Sequence, residues 1–400
     1  MFDALFTTTT EYKKLSHALS GKGACALFGL PASGRAQVYA ALCRQLDKPL
    51  CIVTPGEAEA TRFAADLNTL GIPAAVFPAR DYVLRPIEGT AREYEYRRLA
   101  VLGELVGGRL RAVAVPAEAL TQFTTPKEDF CANTRTLHAG DTLLRDDLLA
   151  ALFGAGYTRR AQVDGPGQFS VRGDIVDIFA PDQKMPVRME FWGDEIDTLH
   201  TFDLTTQRRE DAIDKFYLSP AREVLFGKPA DAAEQLRAFL AKQRGKKKTA
   251  MADCMAADLD LLDGGAVPVN MDKYLAVRYP HPATVLDYFD DPILVAEEPA
   301  SIREADRATA YRRGEELKSL ILDGVLCAGL DNLYADPSYL WSKTGHYRTI
   351  CAENFARSMP DQPLKDIINT PAHALPAWNG EVAGLLEDLK PLCDAGYTVT

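Results

Sequence analysis

Apolar and polar positions along this chain change period several times. Over residues 1–125 short apolar runs alternate with longer amphipathic ones. The pattern predicts a helix over Thr10–Leu19, a strand over Ala24–Phe28, and a helix from Gly34 with Val38, Ala41 and Leu42 on one face. Strand Leu50–Thr54, helix Glu57–Leu70, strand Ala74–Phe77, helix Ala91–Leu105 and strand Arg111–Val115 follow. Strands alternating with helices of this length imply right-handed crossovers and a parallel sheet.

Near Thr136 the period shifts. Asp141–Phe153 reads as a helix carrying Leu144, Leu148, Leu149 and Leu152 on one stripe. Phe169–Phe179 is a β-prone run, Ala180–Pro186 a turn, and Val187–Trp192 alternates strictly. Val187, Met189 and Phe191 fall on one face of that strand, Arg188, Glu190 and Trp192 on the other. Period two marks a strand with one buried face, so Arg188 and Trp192 are expected in solvent. Val171 and Arg172 point to opposite faces, Gly173-Asp174 is a candidate bulge, and a further strand is expected near Ile196–Phe202. Two readings of the wet face are open. One is an ordinary amphipathic hairpin; the other is a protein-binding hot spot, where a large aromatic ring beside an Arg is typical.

Residues 220–250 read as a helical connection, with Asp231 and Glu234 as a capping-box start and Gly245 past its end. The run Arg244–Lys248 is either a solvated linker or, through Lys246–Lys248, a nucleic-acid contact. From about residue 255 the α/β pattern returns: Ala283–Tyr288 and Ile293–Ala296 are apolar, and a helix is expected over Ser301–Lys318. A last helix, Gly380–Ala395, is followed by Tyr397–Thr400, which has strand propensity. A strand cut at its first residues suggests a piece of a longer protein.

Composition narrows the functional classes. Four hundred residues suit two to four domains, and 47% hydrophobic residues are ample for several cores. No segment approaches the roughly 18 apolar residues of a membrane span, and the N-terminus lacks the pattern of a signal peptide. The eight cysteines are scattered without a CxxC pair, which points to reduced thiols in the cytoplasm and to no metal site. A net charge of −11 argues against general duplex-DNA binding, which rests on Lys and Arg neutralising phosphates.

One stretch has the frame of a catalytic motif. Gly29-Leu-Pro-Ala-Ser-Gly34-Arg35-Ala36 follows a strand and opens a helix, as the phosphate-binding loop G-x-x-x-x-G-K-[ST] does. Its Lys is replaced by Arg35, and its Mg²⁺-holding hydroxyl by Ala36, which has no ligand atom. Glu297-Glu298 at the end of a predicted strand is either a degenerate Walker B pair or a pair of acids at the start of the next helix. Together they suggest a nucleotide-binding layer that has lost its chemistry.

The run V-R-G-D-I-V-D-I-F…P-V-R-M-E-F-W-G-D-E-I-D-T-L…F-D…T-Q-R resembles the bacterial transcription-repair coupling factors, in their N-terminal module, which is itself similar to the excision-repair subunit UvrB. UvrB carries a long Tyr-rich hairpin where this chain has only Asp81–Thr90 with Tyr82, which favours the coupling factors. The resemblance implies an α/β fold: degenerate P-loop NTPase-like parallel-sheet lobes with an inserted small α+β domain. The expected division is a first lobe over 1–129, the inserted domain over 130–219, a helical connector and returning second lobe over 220–355, and a linker to a next domain over 356–400. It also implies that the inserted domain binds UvrA through Arg172, Arg188 and Trp192, the last standing where the family usually has Phe. No catalytic residue, cofactor or metal is expected in this stretch. ATP and Mg²⁺, and contacts with RNA polymerase and duplex DNA, are implied only for parts of the longer family members beyond Thr400. The alternative is a nucleotide-binding helicase lobe of a UvrB-like subunit.

Overall fold

The computed structural model describes residues 7–87, 92–359, 362–370 and 380–396. The predicted strand Tyr397–Thr400, the residue Ala91 at the start of a predicted helix, and most of the loop from Pro371 lie outside these.

Helix α1 (Thr10–Ala18) is capped by the Thr9 hydroxyl, which accepts from the Tyr12 N–H at 3.2 Å. Then follow β1 (Gly23–Phe28), α2 (Ala32–Leu46), β2 (Leu50–Thr54), α3 (Glu57–Thr69), β3 (Ala74–Val76), α4 (Glu93–Val106) and β4 (Ala112–Pro116). The inserted segment contains β5 (Arg135–His138), α5 (Arg145–Gly154), β6 (Thr158–Arg159), β7 (Gln168–Arg172), β8 (Ile175–Phe179), β9 (Val187–Trp192), β10 (Glu195–Phe202), β11 (Arg209–Ala212) and β12 (Lys215–Leu218). Helices α6 (Pro229–Ala241) and α7 (Gly245–Asp263) lead to β13 (Ile293–Glu297), α8 (Pro299–Leu322), β14 (Arg348–Glu353), β15 (Leu364–Asn369) and α9 (Val382–Asp394).

Seven strands form one sheet in the order β15-β1-β14-β13-β2-β4-β3, and every neighbouring pair in it is parallel. Strands from before and after the insertion therefore interleave in a single layer, with the late β13 paired directly to the early β2. Residues of β1 alternate between two cores. Cys25 and Leu27 pack with α1, α2 and α3; Ala24, Ala26 and Phe28 pack with α4 and α8. Both faces are covered, which is why these strands are continuous apolar runs rather than alternating ones.

The inserted module hangs from a neck. Strands β5 and β12 pair antiparallel, Arg135 opposite Leu218 and His138 opposite Lys215, so the chain enters and leaves as one ribbon. Beyond it a six-stranded sheet runs β11-β10-β9-β8-β7-β6. Its inner face, with Phe169, Val176, Ile178, Val187, Met189 and Phe191, buries Leu148 and Leu152 of α5.

A buried ionic cluster joins module and layer. Glu223, just past the neck, is bonded by Arg98 of α4 at 2.6 Å and 3.2 Å, and lies 3.4 Å from Arg80. Arg80 in turn grips Asp272 at 2.7 Å and 3.2 Å. The Glu223 N–H donates to Glu95, whose carboxyl is held at about 2, because Arg80 and Arg92 outweigh the effect of burial.

Several expectations are corrected. Phe169–Phe179 is two strands, and Gly173-Asp174 is a two-residue hairpin turn rather than a bulge: Arg172 pairs with Ile175, and Gly173 takes φ +61°, which its missing Cβ permits. Helix α2 begins at Ala32, so Gly34 lies inside its first turn instead of closing a loop. The capping acid of α6 is Asp231 at the third helical position, accepting from the Lys228 N–H at 3.2 Å. Residues Arg244–Lys248 are no linker, since α7 starts at Gly245 and anchors itself by burying Met251 and Met255. The apolar run Ala283–Tyr288 becomes a 3₁₀ turn over Val285–Tyr288.

Candidate partner-binding face

The degenerate nucleotide motifs come together at the C-terminal ends of β1 and β13, where a phosphate site would lie. Arg35 on α2 is 2% exposed and turns inward, 2.9 Å from Glu297 and 3.0 Å from Glu298. The Tyr39 hydroxyl donates to Glu297 at 2.5 Å. Burial pushes the Glu297 carboxyl up to about 7, against the pull of Arg35 and Tyr39. Glu298 sits at φ +53° before α8 and also accepts from the Asn354 N–H at 3.3 Å.

These residues do not fit a nucleotide with its metal. Ala36 lies fully inside the apolar core, where a magnesium-holding hydroxyl would stand. Gly29, at φ +85°, serves the chain's own backbone: a Cβ there would run into the Thr370 carbonyl, and the Thr370 N–H bonds Phe28 O at 2.9 Å. The two acids that would face a metal are spent on Arg35. Among the described residues no group of three or more His, Cys, Asp or Glu is placed to hold a metal ion.

The outer face of the inserted sheet is organised differently. Arg172 on β7, Asp177 on β8, and Arg188 and Trp192 on β9 all lie on it, opposite the apolar inner face. Asp177, 1% exposed, is the cross-strand neighbour of Arg188 and accepts from its Nε at 2.7 Å and its Nη2 at 2.9 Å. Arg172 donates to the same carboxylate at 2.6 Å. One carboxylate thus holds two guanidinium groups on either side of it.

The two arginines differ in what is left over. The expectation that Arg188 is exposed is wrong: its side chain is 11% exposed, stacks 4.7 Å from the Phe202 ring, and spends Nη1 on the Gln207 carbonyl at 3.1 Å. The strand period put it on the correct face, but that face carries its own small cluster of Val163, Phe179 and Phe202, and the Phe202 ring lies against it. Arg172 keeps 47% of its side chain in solvent. Trp192 is 82% exposed, immediately before the Gly193-Asp194 turn that returns to Glu195.

Sequence reading passed over Asp177. Its signal was present: V-D-I places a single acid between inward-facing residues of a central strand, and a carboxylate there needs cations on both neighbouring strands.

This sheet has recognisable relatives. Residues 136–224 match the UvrB interaction domain. The chain is also similar to bacterial transcription-repair coupling factors. It is 25% identical to that of Bacillus subtilis (strain 168) over 384 residues, 93% of this chain and 32% of the relative. It is 35% identical to that of Myxococcus xanthus over 208 residues, 49% of this chain and 17% of the relative. With that of Mycobacterium bovis it shares 34% over 257 residues, 62% of this chain and 20% of the relative. The chain therefore spans about a third or less of the curated relatives it matches. None of the described helices is long and apolar enough to cross a membrane.

Proposed function

We propose that this chain is a recruitment module of transcription-coupled nucleotide excision repair, in which residues 130–219 dock UvrA and the α/β layer serves as scaffold. The observation that carries this is the outer face of the inserted sheet. It presents a nearly free Trp192 and a half-exposed Arg172 whose orientation is fixed by a buried carboxylate. A guanidinium held in place loses little entropy on pairing with a partner's carboxylate, and an exposed indole offers large apolar area with few rotors. Arg172 and Trp192 are the contacts, and Arg188 acts behind them as a strut through Asp177. In full-length relatives the motor chemistry, and contacts with RNA polymerase and DNA, belong to other parts.

The scaffold is without nucleotide chemistry on this reading, because Arg35 occupies the acids and Ala36 offers nothing to a metal. Titration of the chain with UvrA tests the docking role. Arg172→Ala and Trp192→Ala are each expected to weaken binding by about 2 kcal/mol, or some thirtyfold. Unchanged affinity in the double variant would sink the assignment. Fluorescent ATP with Mg²⁺ is expected to give no saturable signal, and micromolar binding abolished by Arg35→Ala would return the layer to the nucleotide-binding proteins.

A further inference from the structure

Far from the inserted sheet, α8 carries a carboxylate with no partner. Asp306 is 7% exposed, and its side chain makes no hydrogen bond or ion pair with any described residue. It lines a cavity of about 220 Å³ between α8, Thr121 and the segment from Asp331 to Pro337. The obvious cation on the same helix face, Arg313, lies seven residues on, about 10 Å along the axis. It is committed elsewhere: it donates to the Thr121 hydroxyl and the Glu118 carbonyl at 2.8 Å each, and stacks 4.0 Å from the Tyr334 ring. Asp306 is therefore a lining residue of the cavity whose carboxylate Arg313 does not bond.

A buried carboxylate without a counter-ion is costly, and natural cores rarely keep one without use. Burial holds its carboxyl up at about 6 against the pull of Arg313, so it is charged at neutral pH and pays for desolvation. The walls around it are mixed. Thr309, one turn along the helix, brings a hydroxyl and Asp331 a second carboxylate, whereas Ala310, Leu317 and Pro337 are apolar; Arg313 lines the cavity too, with its guanidinium engaged by Thr121 and Glu118. Hydrated metal ions want several oxygens in a ring. One buried carboxylate beside an apolar wall, with Asp331 itself exposed, instead suits an ammonium on a short hydrocarbon chain, and the volume admits one such chain.

We propose that this cavity binds a primary alkylammonium group, with Asp306 as its counter-ion and Ala310, Leu317 and Pro337 against its methylenes. The occupant is either a free diamine or a lysine side chain. Calorimetric titration of the full chain with 1,4-diaminobutane, and separately with N-acetyl-lysine methylamide, distinguishes the sources. Saturable binding is expected for at least one, weakened about tenfold or more by Asp306→Asn. Binding of the diamine alone assigns the site to free amines, and equal binding of the blocked lysine assigns it to a side chain. Asp306→Asn removes an unpaired charge, so the variant is expected to stay folded and to melt higher than the parent while losing its thermal response to the amine. No saturation with either probe, an unchanged affinity in Asp306→Asn, or an equal response to Mg²⁺ overturns the proposal.

Discussion

Arg188 and Arg172 should fail in opposite ways when truncated. Arg188→Ala removes both bonds to Asp177, the contact with the Phe202 ring and the donor to Gln207, all in a place where the carboxylate is 1% exposed. Asp177 is then left with Arg172 alone, at the edge of solvent. Breaking a buried pair in this way costs about 3 kcal/mol, because the stranded charge stays desolvated. Arg172→Ala leaves the Arg188 fork on Asp177 intact and removes a pair half in water, so its stability cost is about 0–1 kcal/mol. Hydrogen exchange of the β8 and β9 amides reads this locally, without requiring the whole chain to unfold in one step. Those amides are expected to exchange about a hundredfold faster in Arg188→Ala and nearly unchanged in Arg172→Ala. UvrA affinity is expected to fall in Arg172→Ala while protection holds. If Arg188→Ala keeps parental protection and still loses UvrA, Arg188 is a contact and not a strut, and the reasoning is wrong. Arg188→Met with Asp177→Asn supplies a control. Replacing both charges is expected to recover much of the protection, because no buried ion is left unpaired and Arg172 is half in water.

Other consequences follow from the buried charges of the α/β layer. The Glu297 carboxyl is held at about 7, above its ordinary value, so the folded state keeps a proton that the unfolded chain has already lost. Stability is therefore expected to fall as pH rises from about 4.5 through about 7, by a few kcal/mol at most, and Glu297→Gln should flatten that slope in urea unfolding; equal slopes would refute it. Glu223→Gln strips one charge from the joint between Arg98 and Arg80, and should lower the melting temperature through a loss of about 3 kcal/mol. A melting temperature within experimental scatter of the parent would mean that the joint carries no such load.

The parallel layer was legible because covered strands are uniform apolar runs and helices α3 and α4 run into glycines. Strand order was not, since nothing local in Ile293–Glu297 says that it pairs with Leu50–Thr54, some 240 residues earlier. Neither β14 nor β15 announced itself, although both flank β1. Period two placed Arg188 and Trp192 on one face correctly, but exposure depends on what else covers that face, and Phe179 and Phe202 arrive from other strands. The turn at Gly173-Asp174 was mistaken for a bulge because both solutions need the same glycine. Asp306 gave no sign at all. A carboxylate on a long, mostly polar helix reads as solvated, and only the fold shows that it lines a cavity with Thr121 and Tyr334.

The two arginine sites obey one rule with opposite results. At Arg35, two carboxylates answer one guanidinium, all its neighbours come from the chain itself, and the group is buried. The cluster is an internal tie between α2, β13 and the start of α8. At Asp177 the ratio is reversed, one carboxylate for two guanidinium groups. A carboxylate has about four acceptor directions; Arg188 takes two well-formed bonds, and Arg172 takes one, leaving its remaining donors to solvent. The surplus positive charge is fixed in direction, on the same sheet face as an indole that the fold leaves uncovered. Whether a charged cluster stabilises the fold or addresses a partner is thus decided by which side holds the excess and whether that excess reaches water. On the proposed reading the layer is the scaffold, and the outer face of the inserted sheet, with Arg172 half in solvent and Trp192 uncovered, is the part that meets UvrA.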